Sequence, residues 1–161
     1  MAEIRMDFRE GLGKGREYPV TGDIYVARRG GKFCKISSAT GYATLCATGD
    51  AIVAGWMATP KDAAGKNAWK SSSTTGSDRV FVSYGIDDVY EMPAATSVGA
   101  TFSASYVGRG AAIITTGATY AMVQKARMGG TVTSSPLTIV DVDTTNTTVF
   151  VKIKTTAKQQ I

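Results

Sequence analysis

Short apolar segments separated by Gly, Thr-Gly and Ser-rich turns predict an all-β fold for this chain of 161 residues. Three observations carry that prediction. Val, Ile, Thr and Tyr dominate the segments, and such side chains suit a pleated, half-buried surface. Several segments alternate with period 2, most clearly Thr148–Thr155, where Val149, Val151 and Ile153 form one face and Phe150, Lys152 and Lys154 the other. Helical periodicity is nearly absent.

Residues 1–22 differ in character from the rest of the chain and read as an extended N-terminal arm. Gly11, Gly13 and Gly15 alternate with Leu12 and Lys14 ahead of Arg16, and glycine at that density weakens either a helix or a strand. The arm also carries Ile4, Met6, Phe8 and Tyr18, apolar groups that need burial, and ordering so many residues alone is costly. A neighbouring subunit is expected to supply that burial, with Arg5, Phe8, Arg9 and Tyr18 as the partner-contact residues.

The β-domain is expected over 23–161. Ile24–Arg28 and Phe33–Ser37 flank Gly30-Gly31, a pair that favours a two-residue hairpin turn because both positions need positive φ. Ala43–Ala47 and Ala51–Ala58 come next. Pro60 to Gly76 is a Lys-, Ala- and Ser-containing loop long enough to be an exposed excursion, and the 60–77 region is one point where the domain could divide. Arg79–Tyr84 alternates cleanly, and Asp87–Met92 is expected to stop at Pro93. Thr101–Val107, Ala111–Thr115 and Thr119–Lys125 supply three more strands, punctuated by Gly108, Gly110 and Gly117. After residue 130, a second division point, Leu137–Asp143 and Thr148–Thr155 flank the turn Thr144–Thr147.

Composition narrows the chemistry. The chain has no histidine, which removes the usual general acid–base residue and the commonest metal ligand. Cys34 and Cys46 are the only cysteines and form no C-x-x-C pair, so they read as small core residues without zinc. The charged N-terminus has no apolar h-region, which predicts synthesis in a reducing compartment, and the apolar run Ala51–Ala58 is too short to span a bilayer. Net charge is +5, with eight Lys/Arg against five Asp/Glu in residues 1–35 and six against two in 101–161. Basic ends on a neutral body suit an acidic partner surface, but the cations are interspersed with acids and form no run, so they read better as solvated surface.

No catalytic constellation emerges, and neither enzyme activity nor a cofactor is expected. Gly11-Leu-Gly-Lys-Gly lacks the spacing and preceding strand of a dinucleotide loop, and Ala64-Gly-Lys-Asn67 lacks the glycine and Ser/Thr of a P-loop. Asp87, Asp88 and Glu91 beside Tyr84 and Tyr90 suggest a carboxylate pair, but read better as a turn with a solvated strand edge. Asn146-Thr-Thr148 matches a glycosylation sequon and reads as a turn. The aromatics are spread over many strands and do not interleave with cations on one face, so no specific nucleic-acid platform is expected.

The runs Thr21-Gly-Asp-Ile-Tyr-Val-Ala, Asp50-Ala-Ile-Val-Ala-Gly-Trp-Met-Ala and Arg79-Val-Phe-Val-Ser-Tyr-Gly-Ile-Asp-Asp-Val-Tyr-Glu-Met-Pro resemble segments of tailed-bacteriophage capsid decoration (cement) proteins. Ser97-Val-Gly-Ala-Thr-Phe and Gly117-Ala-Thr-Tyr-Ala-Met-Val extend the resemblance, which covers residues 20–125. The resemblance implies a small β-barrel or β-tulip-like domain that assembles as a trimer on the capsid exterior. It implies the major capsid protein as partner, no membrane, and synthesis in the host cytoplasm. A tail- or fibre-associated β-module of a virion and a single-stranded nucleic-acid-binding barrel are the alternatives.

Overall fold

The structure, a computed structural model, describes residues 8–10, 14–27, 32–58, 68–85, 87–96, 101–117, 122–128 and 135–160. Strands dominate them. In chain order they are β1 (Phe8–Glu10), β2 (Gly15–Pro19), β3 (Tyr25–Ala27), β4 (Phe33–Ile36), β5 (Ala43–Leu45), β6 (Gly55–Met57) and β7 (Ala68–Lys70), followed by β8 (Arg79–Ser83), β9 (Val89–Thr96), β10 (Gly110–Thr116), β11 (Val123–Met128), β12 (Leu137–Asp143) and β13 (Thr148–Ile153). The protein is all-β, as its sequence predicts.

One sheet has the order β1-β9-β11-β10-β12-β13, and β13 also pairs back onto β9. The pairings of β9, β11, β10, β12 and β13 therefore run in a closed circuit. β9 makes this possible by changing neighbours along one edge: β1 meets it at Val89 and Tyr90, and β11 lies parallel to Ala94–Thr96. The other edge pairs with β13 from Tyr90 to Pro93. Pro93 thus continues the strand that was expected to end there. The Ala94 amide donates to the Thr147 carbonyl on the β13 side, so the Pro93 nitrogen faces the opposite edge, in the gap between β1 and β11. A missing N–H costs little at that point.

The second sheet runs β2-β8-β6-β4-β5, and Val20 just after β2 bridges Ala43 of β5 in parallel. Residues 15–19 of the expected arm are thus a strand of the chain's own sheet, in register with Ser83 to Arg79 of β8. Gly15 belongs there for a packing reason. A Cβ on it would run into the Phe81 ring and the Val82 carbonyl. Residues 1–7 and 11–13 of that arm lie outside the described residues.

Two further expectations are corrected. β3 pairs with β7 as a separate ribbon, not with β4 as a Gly-Gly hairpin. The ribbon sets Val26 opposite Trp69, and both are buried in the same core. Residues 101–107 hold no strand, and Ala104–Tyr106 form a 3-10 turn instead. Ser103 and Ser105 bond to each other through their hydroxyls there, a local bond of the kind that draws Ser away from regular ladders.

The interior has two hydrophobic clusters with one shared wall. β4 gives Phe33 to one cluster and Cys34 to the other, and β6 divides Trp56 and Met57 in the same way. Both faces of this wall are buried, so the strands need apolar residues on successive positions. On the β9 side, Trp56 stacks on Tyr90 at 4.9 Å, and Phe33 meets both rings edge-on at 4.9 and 5.4 Å.

Candidate functional site

Two glutamines, Gln124 buried and Gln159 half-buried, fasten later segments of the chain to β4. The Phe33 amide donates to Gln124 Oε1, and Gln124 Nε2 donates to the Phe33 and Cys46 carbonyls, each at 2.8 Å. Three residues on, the Ile36 amide donates to Gln159 Oε1 at 2.9 Å, and Gln159 Nε2 donates to the Ile36 carbonyl at 2.6 Å. Each carboxamide imitates a strand neighbour, giving one donor and one acceptor to a single residue of β4.

The acidic triplet near residue 90 does not form a carboxylate pair. Asp88 is fully buried, and its Oδ2 accepts from Ser83 Oγ at 2.6 Å, from the Gly85 amide at 3.1 Å and from Tyr90 Oη at 3.1 Å. Its Oδ1 has no hydrogen-bond partner among the described residues. Burial is the main cause that pushes the Tyr90 hydroxyl pKa up, so this donor stays protonated. Asp87 points outward and lies 4.0 Å from Lys152. Glu91 is buried and accepts from the Thr148 hydroxyl at 2.9 Å. Asp88 is therefore a strut between the end of β8 and the start of β9.

Lys158 closes the same end of the molecule. Its ammonium donates to the Tyr84 carbonyl and sits 5.4 Å from the Tyr84 ring centroid. Burial lowers its pKa to about 8, against the opposing pull of Asp88. Residues on either side of it anchor to Val53, since the Val53 amide donates to Ala157 and the Gln159 amide to Val53.

A cleft of about 590 Å³ opens on the outer side of β9, β12 and β13, lined by Val89, Glu91, Val140, Asp141, Asp143, Asn146 and Phe150. A β-bulge creates it. Ile139 pairs with Val151 and Asp141 with Phe150, so Val140 is the extra residue. Uninterrupted alternation would send Asp141 inward with Ile139; the bulge turns Asp141 outward and lets Val142 pack on the core instead. Asp141 Oδ1 accepts from the Val142 amide at 2.8 Å. Asp143 accepts from the Thr145 and Asn146 amides and from Asn146 Nδ2, and these bonds hold its carboxyl below the ordinary carboxylate range. The sequon residue Asn146 is accordingly the turn residue it was expected to be.

Of the expected partner-contact residues, Tyr18 lies in its own chain's second cluster, 6% exposed, with the Arg16 guanidinium over its ring at 4.8 Å. Phe8 and Arg9 belong to β1, which pairs with β9 of the same chain, and Arg5 lies outside the described residues. Cys34 and Cys46 are free thiols, both fully buried. Burial pushes the Cys34 thiol up to about 12 and raises that of Cys46 as well. Among the described residues no group of three or more Cys, Asp or Glu is arranged to hold a metal ion, and no helix is long and apolar enough to cross a membrane. Ile52, Phe81 and Val107 are the large apolar side chains exposed to solvent among the described residues.

Sequence reasoning missed Gln124, Gln159 and the bulge at Val140. Gln124 carried a readable signal, because it shares the inward face of β11 with Ala126 and Met128. A long polar side chain on a core face has to find partners. Comparison with known proteins adds no relative: no family model, no curated protein and no solved structure matches this chain.

Proposed function

We propose that this chain is a virion structural protein that decorates a tailed-phage capsid and stabilises it by bridging major capsid subunits. The observation that carries the reading is the use made of four buried or half-buried polar groups. Asp88, Gln124, Lys158 and Gln159 each tie one segment of the chain to another, and what faces outward is a cleft, a bulged sheet and isolated apolar side chains. A protein built this way works through surfaces. The resemblance of residues 20–125 to cement-protein segments supports the same reading.

In this proposal the closed circuit of strands is the small barrel, of β-tulip kind. The protein is a homotrimer on the capsid exterior, made in the host cytoplasm, and acts without a cofactor. Each copy contributes modestly, and repetition over the shell multiplies small contact energies.

Co-sedimentation tests this. Purified protein is mixed with expanded shells assembled from the major capsid protein encoded beside it. Saturable binding at a fixed ratio, with a higher temperature of shell opening, is the expected result. Protein that remains in the supernatant sinks the proposal, and capture by purified tails in place of shells would identify a tail module.

A further inference from the structure

The closed circuit of strands has an acidic side and a basic side, facing away from each other. The acidic side is the cleft over β9, β12 and β13, lined by the apolar Val89, Val140 and Phe150, by the buried Glu91, and by the carboxylates of Asp141 and Asp143. Asp141 is exposed, and its only hydrogen bond among the described residues comes from the Val142 amide, which leaves Oδ2 uncommitted. The lysine on the outer face of β13, Lys152, is drawn to Asp87. Among the described residues no cation lines the cleft.

The basic side lies across the circuit, because β10 and β11 are the two strands that do not neighbour β13. Ile113 and Ala126 pair with each other and face the core. Alternation therefore turns Ala112, Ile114, Lys125 and Arg127 outward, with Ile114 opposite Lys125 and Ala112 opposite Arg127. Neither cation has an acidic partner among the described residues. Ile114 with two cations thus stands on one side, and an apolar lining with the carboxylates of Asp141 and Asp143 on the other.

Two such surfaces on opposite sides of one rigid circuit cannot meet within a chain, but they can meet between copies. We propose that copies of this protein associate head to tail, the cleft at Asp141 of one copy receiving the Lys125–Arg127 face of the next. The occupant is a second copy because this chain itself carries the complementary face, with Lys125 and Arg127 on the outer side of β11. Such a contact is heterologous: it closes into a ring where the rotation between copies allows, and runs on as a row where it does not. The inference rests on the reading of the chain as an assembling module and names the surfaces used. The shell takes no part in it.

Sedimentation equilibrium on the intact chain provides the test, at about 50 and about 500 mM salt, since charge pairing at a surface weakens with screening. Association at low salt, weakened at least about tenfold at high salt, is expected. Asp141→Lys and Arg127→Glu should each weaken it at least about tenfold, and the double variant should return to within about threefold of the original. Circular dichroism verifies that each variant is folded; if a reversal disturbs folding, Asp141→Asn and Arg127→Gln replace it, each expected to weaken association by about threefold or more. A chain that stays monomeric at both salt concentrations overturns the proposal, as does a double variant no better than the singles. Shell co-sedimentation is scored separately, so monomeric protein that still binds shells would reject these surfaces and leave the decoration reading standing.

Discussion

Replacing Gln124 with Leu isolates the contribution of a side chain that imitates a strand. Leu has similar bulk and would sit among apolar neighbours, so the change removes hydrogen bonds with little change in volume. The Phe33 amide and the Cys46 carbonyl lose their partner, whereas the Phe33 carbonyl keeps the Cys46 amide at 2.8 Å. Two orphaned buried groups cost roughly 1–3 kcal/mol each. Better burial of Leu returns part of that, leaving a net loss of about 2–5 kcal/mol. For a chain of this size the corresponding fall in melting temperature is roughly 5–15 °C. Urea unfolding followed by tryptophan fluorescence measures it directly, because Trp56 and Trp69 are both buried and report on the two clusters. A loss below about 0.5 kcal/mol would refute the claim that this carboxamide holds β11 to β4.

Other consequences are open to test. Lys158 has a folded pKa near 8 against an ordinary value of 10.5, so between those values the unfolded chain binds the extra proton and the group's contribution to stability rises with pH. Lys158→Met deletes that rise: the stability of the original relative to the variant should grow from pH 8 to pH 10 in urea midpoints, and a flat difference would contradict the burial of this ammonium. Neither thiol should react with a disulfide reagent in the native protein at neutral pH, and both should react after unfolding in guanidinium. Changing Cys34 and Cys46 together to Ala should cost about 1–3 kcal/mol without loss of fold, measured by denaturant titration. Gly85→Ala places a Cβ on the buried Asp88 carboxyl and should cost about 1–3 kcal/mol in the same titration.

Where alternation, turn chemistry and burial agree, the strands are legible in the sequence. Leu137–Asp143 has the predicted bounds in the structure, and Thr148–Ile153 differs only at its far end. The bulge inside β12 is not legible, because Val140 fits a pleat as readily as it fits an extra position, and only pairing with β13 decides between them. Pro93 and the segment 101–107 mislead for related reasons. Whether a proline ends a strand depends on which edge its nitrogen faces, and a Ser-rich apolar segment can satisfy itself locally. The separation of Asp88 from Asp87 and Glu91 was within reach, since successive strand residues point to opposite faces. Arg5 and its neighbours gave the sequence reading its partner surface, and the structure assigns Tyr18 to the interior.

The shared wall of β4 and β6 fixes when this protein can finish folding. Phe33 waits for Gln124 and Ile36 for Gln159, separations of 91 and 123 residues along the chain. During synthesis the wall is made early, with the partners for its polar edges still to come. Until the last of them leaves the ribosome, strands that will be covered on both sides lie open to solvent and to other nascent chains. Pairings this distant in sequence are slow to form. Crowded or fast translation is then a condition that exposes this chain to aggregation.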